Sequence, residues 1–206
     1  MKYIQNSTEN NLSSLSQLST KEKLAVSAFE LVASKGFQGV NLDMIAANAG
    51  VTKGSLYFHY KSKKELLLEA CNYYYQNWMN QISVVNSMDT DPINRLRRFL
   101  LLVTEQCLFD EKNRLFTSEI FVCAYKDADF RKSWTDFYER VCLFCMELIE
   151  GAVANSTTNI ASTRLNAEII LSTIEGIKQR AIFTPSFMQS SQIGVIVDRL
   201  MQIVMS

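Results

Sequence analysis

Proline and glycine are scarce in this chain, with Pro92 and Pro185 the only prolines and seven glycines in 206 residues. Few positions therefore interrupt a helix, while Leu, Ile, Ala, Met, Glu and Lys are plentiful, so the expected fold class is all-α. Histidine is scarcer still, with His59 alone. One imidazole, no paired carboxylate motif, no phosphate-cradling glycine loop and no nucleophile elbow give catalysis nothing to work with; the chain reads as a non-enzyme without a cofactor. Of the five cysteines, Cys71, Cys107, Cys123, Cys142 and Cys145, only Cys142 and Cys145 share a CxxC-like spacing, and no second pair flanks it. A metal site is not expected; Cys142 and Cys145 lie in a strongly apolar helical stretch and read as buried thiols, and an odd count without a secretory signal points to a reducing cytoplasm. No apolar run is long enough to span a membrane, so none is expected as a partner.

Net charge is absent too, since 21 basic residues face 21 acidic ones. The distribution is uneven. Residues 1–66 carry eight Lys and no Arg against five acids, whereas residues 67–206 carry 13 basic and 16 acidic residues. A basic end on a slightly acidic body fits a localised polyanion footprint.

What is present is concentrated between Asn41 and Glu65. Leu42, Ile45, Ala46 and Ala49 fall on one stripe of a short helix. Gly50 supplies a left-handed residue, Val51 turns back toward the core, and Thr52 can cap a second helix. In that second helix Leu56 and Tyr60 face inward, while Lys53, Tyr57 and Lys61 form an outward row with Ser55 and His59 beside it. No acid occurs from Val51 to Lys64. Cations, hydroxyls and an imidazole on one outward helical face suit phosphates and base edges, as in a helix-turn-helix.

The residues Ile45-Ala46, Ala49-Gly50-Val51, Lys53-Gly54-Ser55-Leu56-Tyr57, His59-Tyr60 and Ser62-Lys63-Lys64-Glu65-Leu66 closely resemble the DNA-binding segment of the TetR family of bacterial transcriptional regulators. The resemblance covers roughly residues 20–67 and implies a three-helix DNA-binding domain followed by a larger helical ligand-binding and dimerisation domain. With residues 1–18, rich in Ser, Asn and Gln, read as a flexible arm, it divides the rest into a helix-turn-helix domain (19–66) and an effector-binding and dimerisation domain (67–206). It implies contact with double-stranded DNA through Lys53, Gly54, Ser55, Tyr57, His59 and Lys63, with Asn41 and Thr52 as capping positions near phosphates. Lys63 would meet a phosphate, and Gly54 would matter by its lack of bulk. It also implies a homodimer holding its two recognition helices one duplex turn apart, roughly 34 Å. A small, largely apolar effector would release a palindromic operator. The alternative is a ligand-independent or thiol-sensing regulator using Cys71 or Cys107.

The flanking chain yields further expectations. Ser19 and Glu22 read as a capping box opening a first helix that Lys35-Gly36 ends; Ser62 and Glu65 read as another box opening the fourth. A break is expected from Ser83 to Pro92. Helices are then expected over Ile93–Phe109, Arg114–Tyr125 and from Asp127 or Asp129 to Ala154, followed by a loop from Ala152 to Ser162. The eighth helix carries the apolar row Leu165, Ile169, Thr173, Ile177 and Ala181, and its mid-helix Gly176 implies close helix approach. After a break at Thr184-Pro185-Ser186, the ninth is apolar around most of its axis, and helices 8 and 9 are expected to pair with their copies. In the family, the effector lies among helices 4 to 7, where Tyr74, Trp78, Phe109, Phe116, Phe121, Tyr125, Trp134, Phe137 and Phe144 fall. Rings there suit an apolar, planar or cationic ligand.

Overall fold

A computed structural model describes residues 18–86, 90–153, 160–184, 186 and 189–205, and the helices among them are nine. They are α1 (Thr20–Lys35), α2 (Leu42–Asn48), α3 (Lys53–His59), α4 (Lys63–Asn86), α5 (Pro92–Phe109), α6 (Glu111–Lys126), α7 (Ala128–Ala152), α8 (Ile160–Ala181) and α9 (Ser190–Met205). No strand occurs among the described residues. Of the arm expected over residues 1–18, all but Leu18 lies outside them. The chain forms two compact units, Met1–Tyr74 and Tyr75–Ser206, with the division inside α4.

The first unit is built around Leu24, Ala28 and Val32 of α1, Ile45 of α2, Leu56 of α3 and Leu66 and Ala70 of α4, all buried. Ser19 and Glu22 make both bonds of the capping box, and Gly36 closes α1 at φ 71°. Glycine is also needed at Gly39, where a Cβ would stand 2.3 Å from the Lys35 carbonyl oxygen. The Ser62–Glu65 box is only half made. Ser62 Oγ accepts from the Glu65 N–H at 3.1 Å, but the Glu65 carboxylate accepts from the Lys61 N–H at 2.8 Å, one residue earlier than expected.

In the second unit α5 is the central helix, packed against α6, α7, α8 and α9 through Leu96, Phe99, Leu100 and Val103. Asp91, Asp110 and Asp127 cap α5, α6 and α7. The Asp110 cap starts α6 three residues before the expected Arg114, because a carboxylate at that position satisfies the first free N–H groups. The break expected from Ser83 begins later, since α4 runs to Asn86; residues 87–89 lie outside the described set. Of the loop expected from Ala152 to Ser162, Ala152 ends α7 and Ile160 to Ser162 belong to α8, while residues 154–159 lie outside the described set. Pro185, in the expected final break, also falls outside.

In α8 the inward face is Ala167, Ile170, Leu171, Ile174, Lys178 and Ala181, whereas Leu165 and Ile169 are exposed. Gly176 makes no close approach: a Cβ there would meet nothing within 4 Å among the described residues. The glycine sits on the outward side of the helix, so its small size serves no packing contact within the described chain. In α9 the buried stripe is Ile193, Val197, Leu200, Met201 and Val204, and Val195 is left exposed.

Candidate nucleic-acid interface and ligand cavity

The turn between α2 and α3 is fixed by backbone bonds. The Val51 N–H donates to the Ala46 carbonyl at 2.9 Å and the Gly50 N–H to the Ala47 carbonyl at 3.2 Å, with Gly50 at φ 64°. This is a Schellman closure, which requires a left-handed residue where Gly50 stands. Thr52 Oγ1 then accepts from the Ser55 N–H at 3.2 Å to start α3, as Asn41 Oδ1 accepts from the Met44 N–H at 2.9 Å to start α2. A buried tie unmarked in the sequence locks α2 onto α1: Ser27 Oγ donates to the Ile45 carbonyl at 3.0 Å and accepts from Asn48 Nδ2 at 3.0 Å. Tyr60 anchors the far end of α3, its ring buried and its hydroxyl donating to the Lys21 carbonyl at 3.3 Å.

With Leu56 and Tyr60 inward, Thr52, Lys53, Gly54 and Tyr57 are exposed and Ser55 and His59 half-buried beside them. Phe58, absent from the sequence-derived set, is 79% exposed and meets the His59 imidazole edge-on at 5.2 Å. The cations Lys53 and Lys63 both have partners within the protein. Lys53 donates to the Asp43 carboxylate at 2.5 Å, which holds its ammonium above the usual lysine range. The absence of acids from Val51 to Lys64 is thus a property of the sequence; in space Asp43 of α2 adds a carboxylate. Lys63 donates to the Phe37 carbonyl at 2.5 Å and lies 4.7 Å from the centre of the Phe37 ring. Gly54 has an ordinary helical backbone, and a Cβ there would meet nothing within 4 Å among the described residues. Neither conformation nor packing among the described residues calls for glycine at that position, although glycine costs a helix about 1 kcal/mol relative to alanine.

In the second unit a cavity of about 390 Å³ is lined by Phe121 of α6, by Trp134, Thr135, Tyr138 and Glu139 of α7 and by Ser172 and Glu175 of α8. Of the nine aromatic residues expected at a ligand site, Phe121 and Trp134 line it, with ring centres 4.9 Å apart. Phe137 and Trp78 are buried in the ring cluster next to Trp134, where Tyr75 stacks on Phe137 at 4.3 Å. Phe116 is core, Phe109 is half-buried, and Phe144 is half-buried with an edge contact to Phe99. Tyr74 belongs to the first unit, stacked on Phe29, and Tyr125 is 85% exposed. Tyr138 and the polar lining residues were not foreseen; they are isolated polar positions on two helices, with no spacing that announces their meeting.

Below the cavity Lys178 is buried, donating to Thr117 Oγ1 at 3.1 Å, paired with Glu175 and lying 5.6 Å from the centre of the Phe121 ring. At its edge Arg164 grips Glu139 with two bonds of 2.8 and 2.9 Å and also binds Glu168. Cys71, Cys142 and Cys145 are buried, and burial pushes the thiols of Cys107 and Cys145 up to about 12. Thiols so raised hold almost no thiolate at neutral pH and make poor sensors. Among the described residues no three His, Cys, Asp or Glu side chains gather as a metal site, and no helix is long and apolar enough to cross a membrane.

Residues 24–70 match the family described as "Bacterial regulatory proteins, tetR family". The chain is 42% identical over 62 residues to the uncharacterized HTH-type transcriptional regulator YerO of Bacillus subtilis, covering 30% of this chain and 22% of YerO. It is 30% identical over 95 residues to the HTH-type negative transcriptional regulator IcaR of the Staphylococcus aureus biofilm operon, covering 46% of this chain and 48% of IcaR. The chain thus spans half or less of the length of these two relatives. A solved structure of a transcriptional regulator from Pseudomonas aeruginosa shares its fold over 91% of this chain and 92% of its own, with a TM-score of 0.78 at 17% identity.

Proposed function

Because this chain belongs to the tetR family of bacterial regulatory proteins, we propose that it acts as a repressor, binding a palindromic operator as a homodimer and leaving it when a small effector binds. The observation that carries the DNA contact is Gly54. A glycine that no described residue of its own protein requires, on an exposed helical face between Lys53 and Ser55, is accounted for by a duplex backbone approaching that face closely. Lys53, Ser55, Tyr57, His59 and Lys63 surround that approach, with the caps Asn41 and Thr52 at its margin. Tyr57 can reach a phosphate with its hydroxyl or a thymine methyl with its ring. Lys53 and Lys63 would exchange Asp43 and the Phe37 carbonyl for phosphates.

The homodimer reading rests on the outer side of α8 and α9. Leu165, Ile169 and Val195 stay exposed on helices whose other sides are buried, and a second copy would cover them. The effector reading rests on the cavity between α6, α7 and α8, whose volume falls in the range of small-ligand sites. An effector that fits one conformational state better than the other shifts the dimer away from its DNA-binding state.

The test is selection of duplexes from a random pool, followed by fluorescence anisotropy on the selected fragment. Inverted-repeat enrichment, steep loss of affinity with salt, and weakening of roughly tenfold or more in Tyr57→Ala and Lys63→Ala with unchanged helicity are expected. Equal affinity for random and selected duplex refutes the reading.

A further inference from the structure

The cavity between α6, α7 and α8 distributes its charges unevenly. Its lining presents the rings of Phe121, Trp134 and Tyr138 and the carboxylates of Glu139 and Glu175, but no basic side chain. The cations that balance the two acids, Arg164 and Lys178, are not part of the lining. Lys178 shows what this wall can hold. Its ammonium, reaching from behind, is bound by the Glu175 carboxylate and faces the Phe121 ring, so a carboxylate and a ring of this cavity already hold one positive charge.

We propose that the ligand of this cavity is an aromatic or quaternary organic cation. The proposal rests on the reading of the cavity as the effector site and names the ligand's chemical class. A neutral apolar ligand would strip water from two carboxylates and offer nothing in return. An anion would face both acids directly. A flat cation matches both the rings and the acids of the lining: its body stacks on Trp134 and Tyr138, and its charge is drawn by ring faces and carboxylates alike. The Glu139–Arg164 pair, half exposed at the edge, is the one a ligand can loosen, because Arg164 keeps Glu168 as a second partner.

Calorimetric titration of the full chain at low ionic strength compares three probes of one shape. They are N-methylquinolinium, its neutral isostere 1-methylnaphthalene, and 1-naphthoate. The cation is expected to bind about tenfold tighter than the neutral probe, and the naphthoate more weakly than either. Glu139→Gln and Glu175→Gln should each weaken the cation by about tenfold while leaving the neutral probe unchanged. Glu139 is half exposed, so its variant retains the fold and decides the question even if Glu175→Gln does not fold. Equal binding of cation and neutral probe overturns the cationic class and leaves the effector cavity standing. Tightest binding of naphthoate overturns it in favour of control by Lys178. Failure of all three probes to bind overturns both the class and the effector reading.

Discussion

Two of the lysine–carboxylate pairs of this protein, one in each unit, stand in opposite surroundings. Lys53–Asp43 lies in water on the outer face of the first unit, both side chains more than half exposed. Lys178–Glu175 lies in the second, with the lysine side chain 4% exposed. An exposed pair contributes little to stability, because water competes for both partners, and it can be exchanged for a phosphate at little cost. A buried pair cannot be exchanged so freely, since removing one partner strands the other in a medium that solvates it poorly. The first arrangement suits a surface that must change partners; the second suits a wall that must keep its shape around a cavity.

The largest effect should come from breaking the buried pair. Glu175→Ala should destabilise the protein by about 3 kcal/mol in urea unfolding, because Lys178 is left charged and unpaired, whereas Asp43→Ala should leave the unfolding midpoint unchanged. A similar loss in both would erase the contrast. Gly54→Ala should move two quantities in opposite directions: stability rises by about 0.5–1 kcal/mol, and operator affinity falls by on the order of 10²-fold as the new methyl props the helix off the duplex. Anisotropy and urea melts on the same preparation check both. A gentler expectation concerns pH. In the folded chain Cys107 and Cys145 keep their protons up to about 12, above the ordinary thiol value of 9.0. Folding therefore holds more protons than the unfolded chain between those values. The contribution of these thiols is complete below pH 9 and declines as pH rises toward 12, which chemical denaturation at pH 8 and pH 10.5 would detect. The smallest effect should be on native alkylation. Iodoacetamide at pH 7.5 should leave Cys71, Cys107 and Cys145 unmodified by mass spectrometry, and rapid labelling of Cys107 would revive a thiol-sensing role.

The first unit was legible in the sequence because its determinants are local. Gly50 and Thr52 announce a turn and a cap within three residues, and the spacing of Leu56 and Tyr60 decides which side of α3 faces out. What escaped there are contacts across the chain: Asp43 reaching Lys53, and Asn48 reaching Ser27. The second unit was legible as helices but not as a site. Aromatic residues in α4 to α7 announced rings without announcing which would be core, so Phe116 and Phe137 looked no different from Phe121 and Trp134. Glu139 on α7 and Ser172 and Glu175 on α8 meet only through packing, and no periodicity marks that encounter. Helix ends also shifted where a cap was overlooked, as with Asp110 at the start of α6.

The ammonium of Lys63 ties the first turn of α4 to the carbonyl and ring of Phe37, in the segment between α1 and α2. A nucleic acid that recruited this lysine would free the segment between α1 and α2 at the moment of docking. Amide exchange around Phe37 and Gln38 should then quicken on operator binding while the rest of the first unit slows, giving the bound state a local signature of loosening.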